Sequence, residues 1–215
     1  WLFYIRGEVM KVAIKNLGCK VNAYESEYIR RLLEKNDFII VEENADIYVI
    51  NTCTVTNTSD NKCRKYMRKI RREHRDAMLV VMGCTLENTK DNLKDIDADI
   101  IIGNKDKSKI IDYINEFLIN KNQIVNFYDI SKEDFEDMNI DKFETKTRAF
   151  VKIEDGCNNF CSYCIIPYVR GRVRSKKASD VIKEVTSLVK NGHKEIVLTG
   201  IHTGQYKDND ITLSI

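Results

Sequence analysis

Residues 46–53 read DIYVINTC, a short run of β-branched and aromatic residues that ends at a cysteine. Similar runs alternate with amphipathic stretches along the first part of the chain. The predicted strands are KVAIKNL (11–17), DFIIV (37–41), DIYVINT (46–52), MLVVMG (78–83), DIIIG (99–103) and QIVNFY (123–128). This alternation is typical of parallel strands joined by crossover helices. We therefore predict an α/β fold with an open, mostly parallel sheet domain over residues 10–127.

The rest of the chain predicts a linker and a second unit. Residues 128–147 carry an excess of acidic over basic residues and little periodicity, so we expect a solvated acidic linker. RAFVKIEDG then predicts a strand, residues 179–191 a helix that stops at Gly192, and EIVLTG a buried strand. Strand, helix and strand are the beginning of a second α/β domain over residues 148–215.

Composition excludes several classes of protein. Of the 215 residues, 43% are hydrophobic and 32% are charged, which is typical of a folded protein with apolar cores. No apolar run approaches the ~20 residues that cross a bilayer, and the first ten residues lack the features of a secretion signal. We expect a cytoplasmic protein with no membrane partner. Thiols stay reduced there, so the seven cysteines indicate metal ligands, reactive groups or packing thiols before disulfides.

Three cysteines stand at the ends of predicted strands. Cys19, Cys53 and Cys84 follow the first, third and fourth strands. The carboxyl ends of parallel strands lie along one edge of a sheet, where helix amino termini present unpaired N–H groups. The three thiols can therefore converge, in surroundings that favour metal-binding thiolates.

The helix predicted over residues 59–75 has an apolar and a basic side. Cys63 and Met67 lie on the apolar side, and we interpret Cys63 as a packing thiol in preference to a fourth ligand. The basic residues are Lys62, Arg64, Lys65, Arg68, Lys69, Arg71, Arg72 and Arg75. Such a face suits an RNA backbone and is equally typical of a solvated helix, so both interpretations stay open.

A second set of three cysteines lies within EDGCNNFCSYC, at Cys157, Cys161 and Cys164. Structural zinc sites and electron-carrying iron–sulfur clusters normally use four protein ligands. Three thiolates instead hold three corners of a four-iron cube and leave one iron open. An open iron is a site for chemistry.

The motifs around these cysteines resemble a known family. CNNFCSYC resembles the cluster motif of the radical S-adenosylmethionine (SAM) superfamily, and DGCNNFCSYCIIPYVRGRVRS resembles its methylthiotransferase branch. NLGCKVN, NTCTVT and MGC are similar to the three ligand motifs of that branch's amino-terminal cluster. GCKVN, NTCTVTN and TGIHTGQY resemble the enzymes that act on N6-threonylcarbamoyladenosine in tRNA more than those that act on isopentenyladenosine or a ribosomal protein.

The resemblance implies two 4Fe-4S clusters, S-adenosyl-L-methionine and a tRNA substrate. The cluster on Cys157, Cys161 and Cys164 would bind SAM, and an electron delivered through it would cleave SAM to methionine and a 5'-deoxyadenosyl radical. That radical would remove the hydrogen at carbon 2 of the target adenine. The second cluster, on the other three cysteines, would supply or carry sulfur. An electron donor and a sulfur donor are further implied partners. The second domain would be the start of a partial (β/α) barrel.

The resemblance also assigns SAM contacts. Tyr163, just before the third cysteine, would contact the adenine of SAM. Thr199 and Gly200, at the end of the second barrel strand, would contact the amino group of SAM. The basic residues of segment 165–177 are equally consistent with a solvated loop and with a phosphate or SAM carboxylate contact. We interpret His193 as a surface residue beside the helix stop.

Two other interpretations remain. A zinc-stabilised RNA-binding module would explain the clustered cysteines and the basic helix, and a cluster-binding fragment without catalysis would explain the short second unit. From residue 148 onward there is room for about two strand–helix units, fewer than a barrel needs, so we expect an unstable second unit and no turnover by the chain as given. Met10 directly precedes the first strand, so residues 1–9 are candidates for non-native sequence. Nothing in the sequence indicates an oligomeric state.

Overall fold

The computed structural model of the chain describes residues 9–54, 57–89, 93, 96–144 and 147–213. In its first part all six predicted strands are present. They are β1 (Lys11–Asn16), β2 (Ile39–Ile40), β3 (Ile47–Thr52), β4 (Met78–Gly83), β5 (Ile100–Ile102) and β6 (Ile124–Asn126). They form one sheet in the order β2-β1-β3-β4-β5-β6, and every pairing in it is parallel. The predicted open parallel sheet is confirmed.

Four helices cover this sheet: α1 (Lys20–Glu34), α2 (Asn57–Glu73), α3 (Cys84–Thr89) and α4 (Ile110–Asn120). On one face, Ile29 of α1 and Ile114 of α4 pack in a cluster with Val49 of β3. On the other, Met67 of α2 and Leu86 of α3 pack in a cluster that includes the next strand residue, Ile50. Alternate residues of each strand thus reach opposite faces, which is why the buried strands are apolar throughout.

The connections that leave the adjacent strands β1 and β3 run on opposite faces of the sheet. The chain leaves β1 through α1 on one face, and it leaves the adjacent β3 through α2 on the other. At such a point the two connections diverge, and a crevice opens at the carboxyl ends of the strands. The fold therefore places the residues that follow β1 and β3 beside one crevice.

The second unit contains a two-stranded parallel sheet. The remaining elements are β7 (Arg148–Lys152), β8 (Glu154–Asp155), α5 (Ile166–Arg170), β9 (Arg174–Ser175), α6 (Ala178–Lys190), β10 (Glu195–Thr199), β11 (Lys207–Asp208) and β12 (Ile211–Thr212). Strands β7 and β10 pair from Arg148↔Glu195 to Lys152↔Thr199, and α6 lies between them in sequence. Gly192, with φ +96°, follows the end of α6 in a conformation that suits glycine.

The segment predicted to be a solvated linker packs against both units. Met138, Ile140 and Phe143 are buried in one cluster with Tyr24 of α1 and Val151 of β7. The prediction of a solvated segment is wrong for these residues, because its acidic composition conceals apolar side chains that cover the gap between the two sheets. The domain limits at residues 127 and 148 stay predictions.

Helix α1 lies between the two sheets. The Tyr24 hydroxyl donates to Glu184 of α6 at 2.8 Å, and the Met138 carbonyl is a second acceptor within hydrogen-bond distance of the same hydroxyl. Glu184 also pairs with Lys176. Across the described residues, no helix is both long and apolar enough to span a membrane.

Candidate functional site

The first cysteine set lies at the carboxyl edge of the six-stranded sheet. Cys19 immediately precedes α1, Cys53 follows β3, and Cys84 opens α3 directly after β4. Because β1, β3 and β4 are neighbours, these positions are adjacent along one edge. Cys19 is exposed, whereas Cys53 and Cys84 are buried. The sheet therefore places the three positions along one edge, and the convergence of their thiols stays a prediction.

Amide and hydroxyl side chains connect the backbone around these cysteines. Asn22 Oδ1 accepts a hydrogen bond from Cys19 Sγ at 3.2 Å, and its Nδ2 donates to the Thr52 carbonyl at 3.1 Å. Thr85 Oγ1 donates to the Cys53 carbonyl at 3.1 Å. Each loop that carries a cysteine is therefore held by a buried polar neighbour, which restricts where its sulfur can stand.

Cys84 is linked to the second unit through one side chain. Asn104 Nδ2 donates to Cys84 Sγ at 3.4 Å and to the Val169 carbonyl of α5 at 2.7 Å. The first cysteine set thus borders directly on the element that follows the second set.

Cys63 is a packing thiol, as predicted. It is buried with Met67 and Ile70 against the sheet. Its Sγ lies 3.6 Å from the Cys53 carbonyl oxygen and accepts from the Cys53 N–H at 3.5 Å. Burial raises the pKa of the Cys63 thiol. A neutral thiol that supports the Cys53 backbone is a different role from a metal ligand.

The second cysteine set occupies the loop between β8 and α5. Cys157 is buried, Cys164 is half-buried and Cys161 is exposed. The Cys157 N–H donates to the Gly171 carbonyl at 3.1 Å, and the Cys164 N–H donates to the Cys161 carbonyl at 2.9 Å. These backbone hydrogen bonds connect the start of the loop to Gly171 and form a turn at Cys161–Cys164.

The donor chemistry of both sets suits iron and sulfide. Within the described ranges, no group of three His, Cys, Asp or Glu side chains could hold a metal ion as the side chains stand. A four-iron cluster spaces its cysteine sulfurs more widely than a single ion does, and thiolates are its usual ligands. The first set, at three neighbouring strand ends, and the second set, on one loop, each offer three soft donors, which fit a cluster better than a single-ion site.

The residues assigned to SAM lie in unequal surroundings. Thr199 is buried at the end of β10, and a Cβ at Gly200 would lie 2.6 Å from Glu154 Oε2, so that position is tightly restricted. Tyr163 is 91% exposed. Their roles toward SAM stay predictions.

Glu154 is a buried carboxyl that the sequence reasoning missed. Its Oε2 accepts the His202 N–H at 2.8 Å, while its Oε1 is buried and has no hydrogen-bond partner within the described part of the chain. Burial raises the pKa of Glu154 to about 7. An acidic residue directly before a cysteine loop, at the end of a strand, was the available signal.

Two basic residues of segment 165–177 are internal. Arg170 and Lys176 are each 1% exposed, and Arg170 pairs with Glu25 and Asp155. Burial opposes its charge, yet Asp155, Cys84 and Glu25 hold the pKa of Arg170 well above its usual value. The interpretation as a solvated loop is wrong for these two residues, because buried carboxylates pair with them: Glu25 and Asp155 with Arg170, and Glu184 with Lys176. Arg172 is exposed and fits the solvated interpretation.

His193 is also internal, which contradicts the prediction of a surface residue. It is buried, and its Nε2 accepts the Phe143 N–H at 3.0 Å. Burial lowers its pKa. The segment expected to be a solvated linker covers this histidine. His202 is exposed beyond the end of β10.

The basic side of α2 forms a pocket near the carboxyl end of that helix. The pocket has a volume of about 460 Å³ and is lined by Arg64, Met67, Arg68, Arg71, Arg72, Arg75, Ile96 and Asp97. Arg71 is held by Asp99 at 3.0 Å and by the Ala77 carbonyl at 3.2 Å. Arg68 and Arg75 are exposed. Cys53 precedes α2, whereas most of the pocket lining lies in the carboxyl-terminal half of this helix and beyond it.

Two family models match the chain. Residues 11–103 match the uncharacterized protein family UPF0004, and residues 151–214 match the radical SAM superfamily. The cobalamin-dependent S-adenosylmethionine radical enzyme OxsB has a similar fold, with a TM-score of 0.52 at 9% identity over 92% of this chain and 34% of that chain.

Curated relatives align with nearly all of the chain. The threonylcarbamoyladenosine tRNA methylthiotransferase MtaB of Bacillus subtilis is 43% identical over 205 residues, which cover 92% of this chain and 45% of that protein. MtaB of Thermotoga maritima is 36% identical over 197 residues, 91% of this chain and 45% of that protein. A tRNA-2-methylthio-N(6)-dimethylallyladenosine synthase of Clostridium novyi is 34% identical over 202 residues, 90% of this chain and 44% of that protein. The chain spans less than half the length of these relatives.

Proposed function

The chain belongs to the radical SAM methylthiotransferase family, and from that premise we propose that it is part of a tRNA-modifying enzyme. The proposed reaction adds a methylthio group to carbon 2 of N6-threonylcarbamoyladenosine next to the anticodon. Two relatives named for threonylcarbamoyladenosine, at 43% and 36% identity, support this substrate over the dimethylallyladenosine of the 34% identical relative.

One observation carries the proposal: each matched region contains one complete set of three cysteines. Cys19, Cys53 and Cys84 all lie within residues 11–103, at one sheet edge. The second set lies within residues 151–214, on one loop. Two separate three-thiol sites are what a reaction needs if one site activates SAM and another handles sulfur.

The chain's own residues would bind and orient these groups. The second set would hold a cluster with one open iron for SAM, and Tyr163, Thr199 and Gly200 would contact the SAM molecule. Gly200 has no side chain, which allows Glu154 to pack against the end of β10. When bound, the two clusters and SAM supply the radical and sulfur chemistry. An electron donor, a sulfur donor and a reducing cytoplasmic location complete the proposal.

Iron analysis of cysteine variants tests the two sites. In the full-length protein, replacing Cys157, Cys161 and Cys164 by alanine should leave about half the iron and abolish SAM cleavage. Replacing the first set should also leave about half the iron while SAM cleavage persists. Full iron in either triple variant would contradict the assignment. Cys63→Ala is the matched control, and its iron content should equal that of the parent.

The reaction is tested by mass spectrometry of tRNA nucleosides from cells with and without the full-length gene. We expect the methylthio form of N6-threonylcarbamoyladenosine to disappear with the gene. Disappearance of methylthiolated isopentenyladenosine, also called dimethylallyladenosine, would favour the nucleoside for which the Clostridium novyi relative is named. Stoichiometric zinc without iron in the purified protein would favour the RNA-binding module.

The basic pocket of α2 is the proposed surface for the tRNA backbone. Arg71 is a poor test residue, because its contacts with Asp99 and Ala77 support the fold. Arg68→Glu and Arg75→Glu change exposed side chains instead. Each lost phosphate contact should lower the slope of affinity against salt concentration by about one. Lys190→Glu, on the exposed side of α6, should leave the slope unchanged, and an unchanged slope for the pocket variants would indicate a solvated helix.

A further inference from the structure

Five charged side chains form a buried cluster between the two sheets. They are Glu25 of α1, Lys107, Lys152 of β7, Asp155 of β8 and Arg170 of α5, and the least buried of these side chains is 5% exposed. This group, the inter-sheet ion cluster, joins residues far apart in sequence. It is the main polar connection between the six-stranded sheet and the cysteine loop of the second unit.

The inter-sheet ion cluster carries more positive than negative charge. Arg170 Nη1 lies 3.0 Å from Glu25 Oε1 and 3.1 Å from Asp155 Oδ1. Lys152 Nζ lies 2.9 Å from Glu25 and 2.7 Å from Asp155, and Lys107 pairs with Glu25. Arg174 Nη2, 10% exposed, lies 3.6 Å from Asp155 Oδ2, so that four cations share two carboxylates. An excess buried charge is costly unless an opposite charge lies nearby.

The excess positive charge is directed at the first cysteine set. Arg170 Nη2 lies 3.4 Å from Asn22 Oδ1, the same atom that accepts from Cys19 Sγ at 3.2 Å. On the other side, Lys107 Nζ donates at 3.0 Å to Asn104, and Asn104 donates to Cys84 Sγ at 3.4 Å. One amide side chain therefore separates each of two buried cations from a cysteine sulfur.

We propose that Arg170, a residue of the second unit, is a positioning residue for the first cysteine set and supplies the positive charge that balances its thiolates. This inference rests on the proposed function, because it takes Cys19, Cys53 and Cys84 as ligands of an anionic iron–sulfur group. Because Arg170, Cys53 and Cys84 are buried, salt screens the attraction between them less than it screens exposed charges. Docking of the second unit and loading of the first site are consequently coupled, and each strengthens the other.

The test isolates the first site by working in the Cys157→Ala, Cys161→Ala, Cys164→Ala background, reconstituted with iron and sulfide. Three changes are compared: Arg170→Gln, which removes the charge; Arg170→Lys, which keeps it; and Arg172→Gln, an exposed control two residues away. We expect Arg170→Gln to lose iron to a chelator about tenfold faster than the background and to shift the midpoint potential to a more negative value. The other two should stay close to the background.

Equal behaviour of Arg170→Gln and Arg172→Gln would overturn the inference, as would an Arg170→Lys variant that loses iron as fast as Arg170→Gln. A background protein that binds no iron would overturn both the inference and the proposed function, whereas normal iron with no effect of Arg170 overturns the inference alone.

A second measurement needs no change at Arg170. Loading the first site of the background protein should slow hydrogen exchange in residues 148–152 and 166–170, because coupling acts in both directions. Exchange that is the same with and without iron in these residues would refute the coupling even if Arg170→Gln fails to fold.

Discussion

The two parallel sheets of this protein differ in how they are covered. Every residue of β3 and β4 is buried, because helices pack on both faces of the six-stranded sheet. In β10 only Thr199 is buried, and Leu198 is 41% exposed. Yet IYVINT and EIVLT are similar apolar runs. The difference teaches that such a run indicates a strand, while its burial depends on neighbours that the run does not encode.

Strand β7 is intermediate between these extremes, and the reason is α1. Ala149, Val151 and Lys152 are buried. Tyr24 of α1 packs in the same cluster as Val151, and Glu25 of α1 pairs with Lys152. The second sheet thus obtains part of its cover from a helix of the first.

The largest expected effect follows from removing Glu25, the carboxylate that α1 contributes to the inter-sheet ion cluster. Glu25→Ala would leave three buried cations, Lys107, Lys152 and Arg170, with Asp155 as their remaining carboxylate in the cluster. We expect the free energy of unfolding to fall by about 3–5 kcal/mol, as for other broken buried pairs. Urea denaturation measures this.

The control for that change lies on the same helix. Glu34 pairs with Arg31 at 2.8 Å but is 38% exposed, so Glu34→Ala should cost less than about 1 kcal/mol. Equal losses for the two variants would mean that the inter-sheet ion cluster contributes no more than a surface pair.

Truncation of one leucine in each sheet sharpens the contrast. Leu79 of β4 is completely buried, so Leu79→Ala should cost about 3 kcal/mol through lost burial and a cavity. Leu198→Ala in β10 should cost about 1 kcal/mol or less, because its side chain already meets solvent. Similar midpoint shifts in denaturant would show that both sheets are equally covered in solution.

The smallest expected effect is a pH dependence confined to the second unit. Burial raises the pKa of Glu154 to about 7, above its unfolded value of about 4.3. The folded state therefore binds the proton more tightly, and stability falls as pH rises from about 4.3 through 7. Glu154→Gln cannot ionise, so its stability relative to the parent should increase as pH rises from about 4.3 through 7.

Thermal unfolding of both proteins at pH 5 and pH 8 checks this prediction. A parallel response of parent and variant to pH would mean that Glu154 titrates near its ordinary value. The Glu34→Ala protein serves as the pH control, since it retains Glu154.

The sequence was sufficient for the first sheet and for the placement of its cysteines. Strand runs and helix faces are local patterns, and the rule that carboxyl ends share an edge converts them into a site. All six strands and the packing role of Cys63 were predicted in this way.

What escaped prediction depends on partners far away in sequence. Arg170 is charged and lies in a basic stretch, so its local pattern indicates solvent or a ligand, and only folding brings Glu25 to it from 145 positions away. His193 was misassigned for the same reason, because Phe143 covers it from 50 positions away. Charge composition describes a segment alone and carries no information about what packs on it.

The unequal exposure of the first cysteine set has a consequence for the order of events during its maturation. Cys53 and Cys84 are covered, whereas Cys19 faces solvent at the amino end of α1. If these cysteines bind an iron–sulfur group as proposed, a group that arrives from outside would meet Cys19 before Cys53 and Cys84. A soluble thiol reagent would follow the same route. Access to the proposed site would therefore pass the amino end of α1 at Cys19 before it reaches Cys53 and Cys84 at the sheet edge.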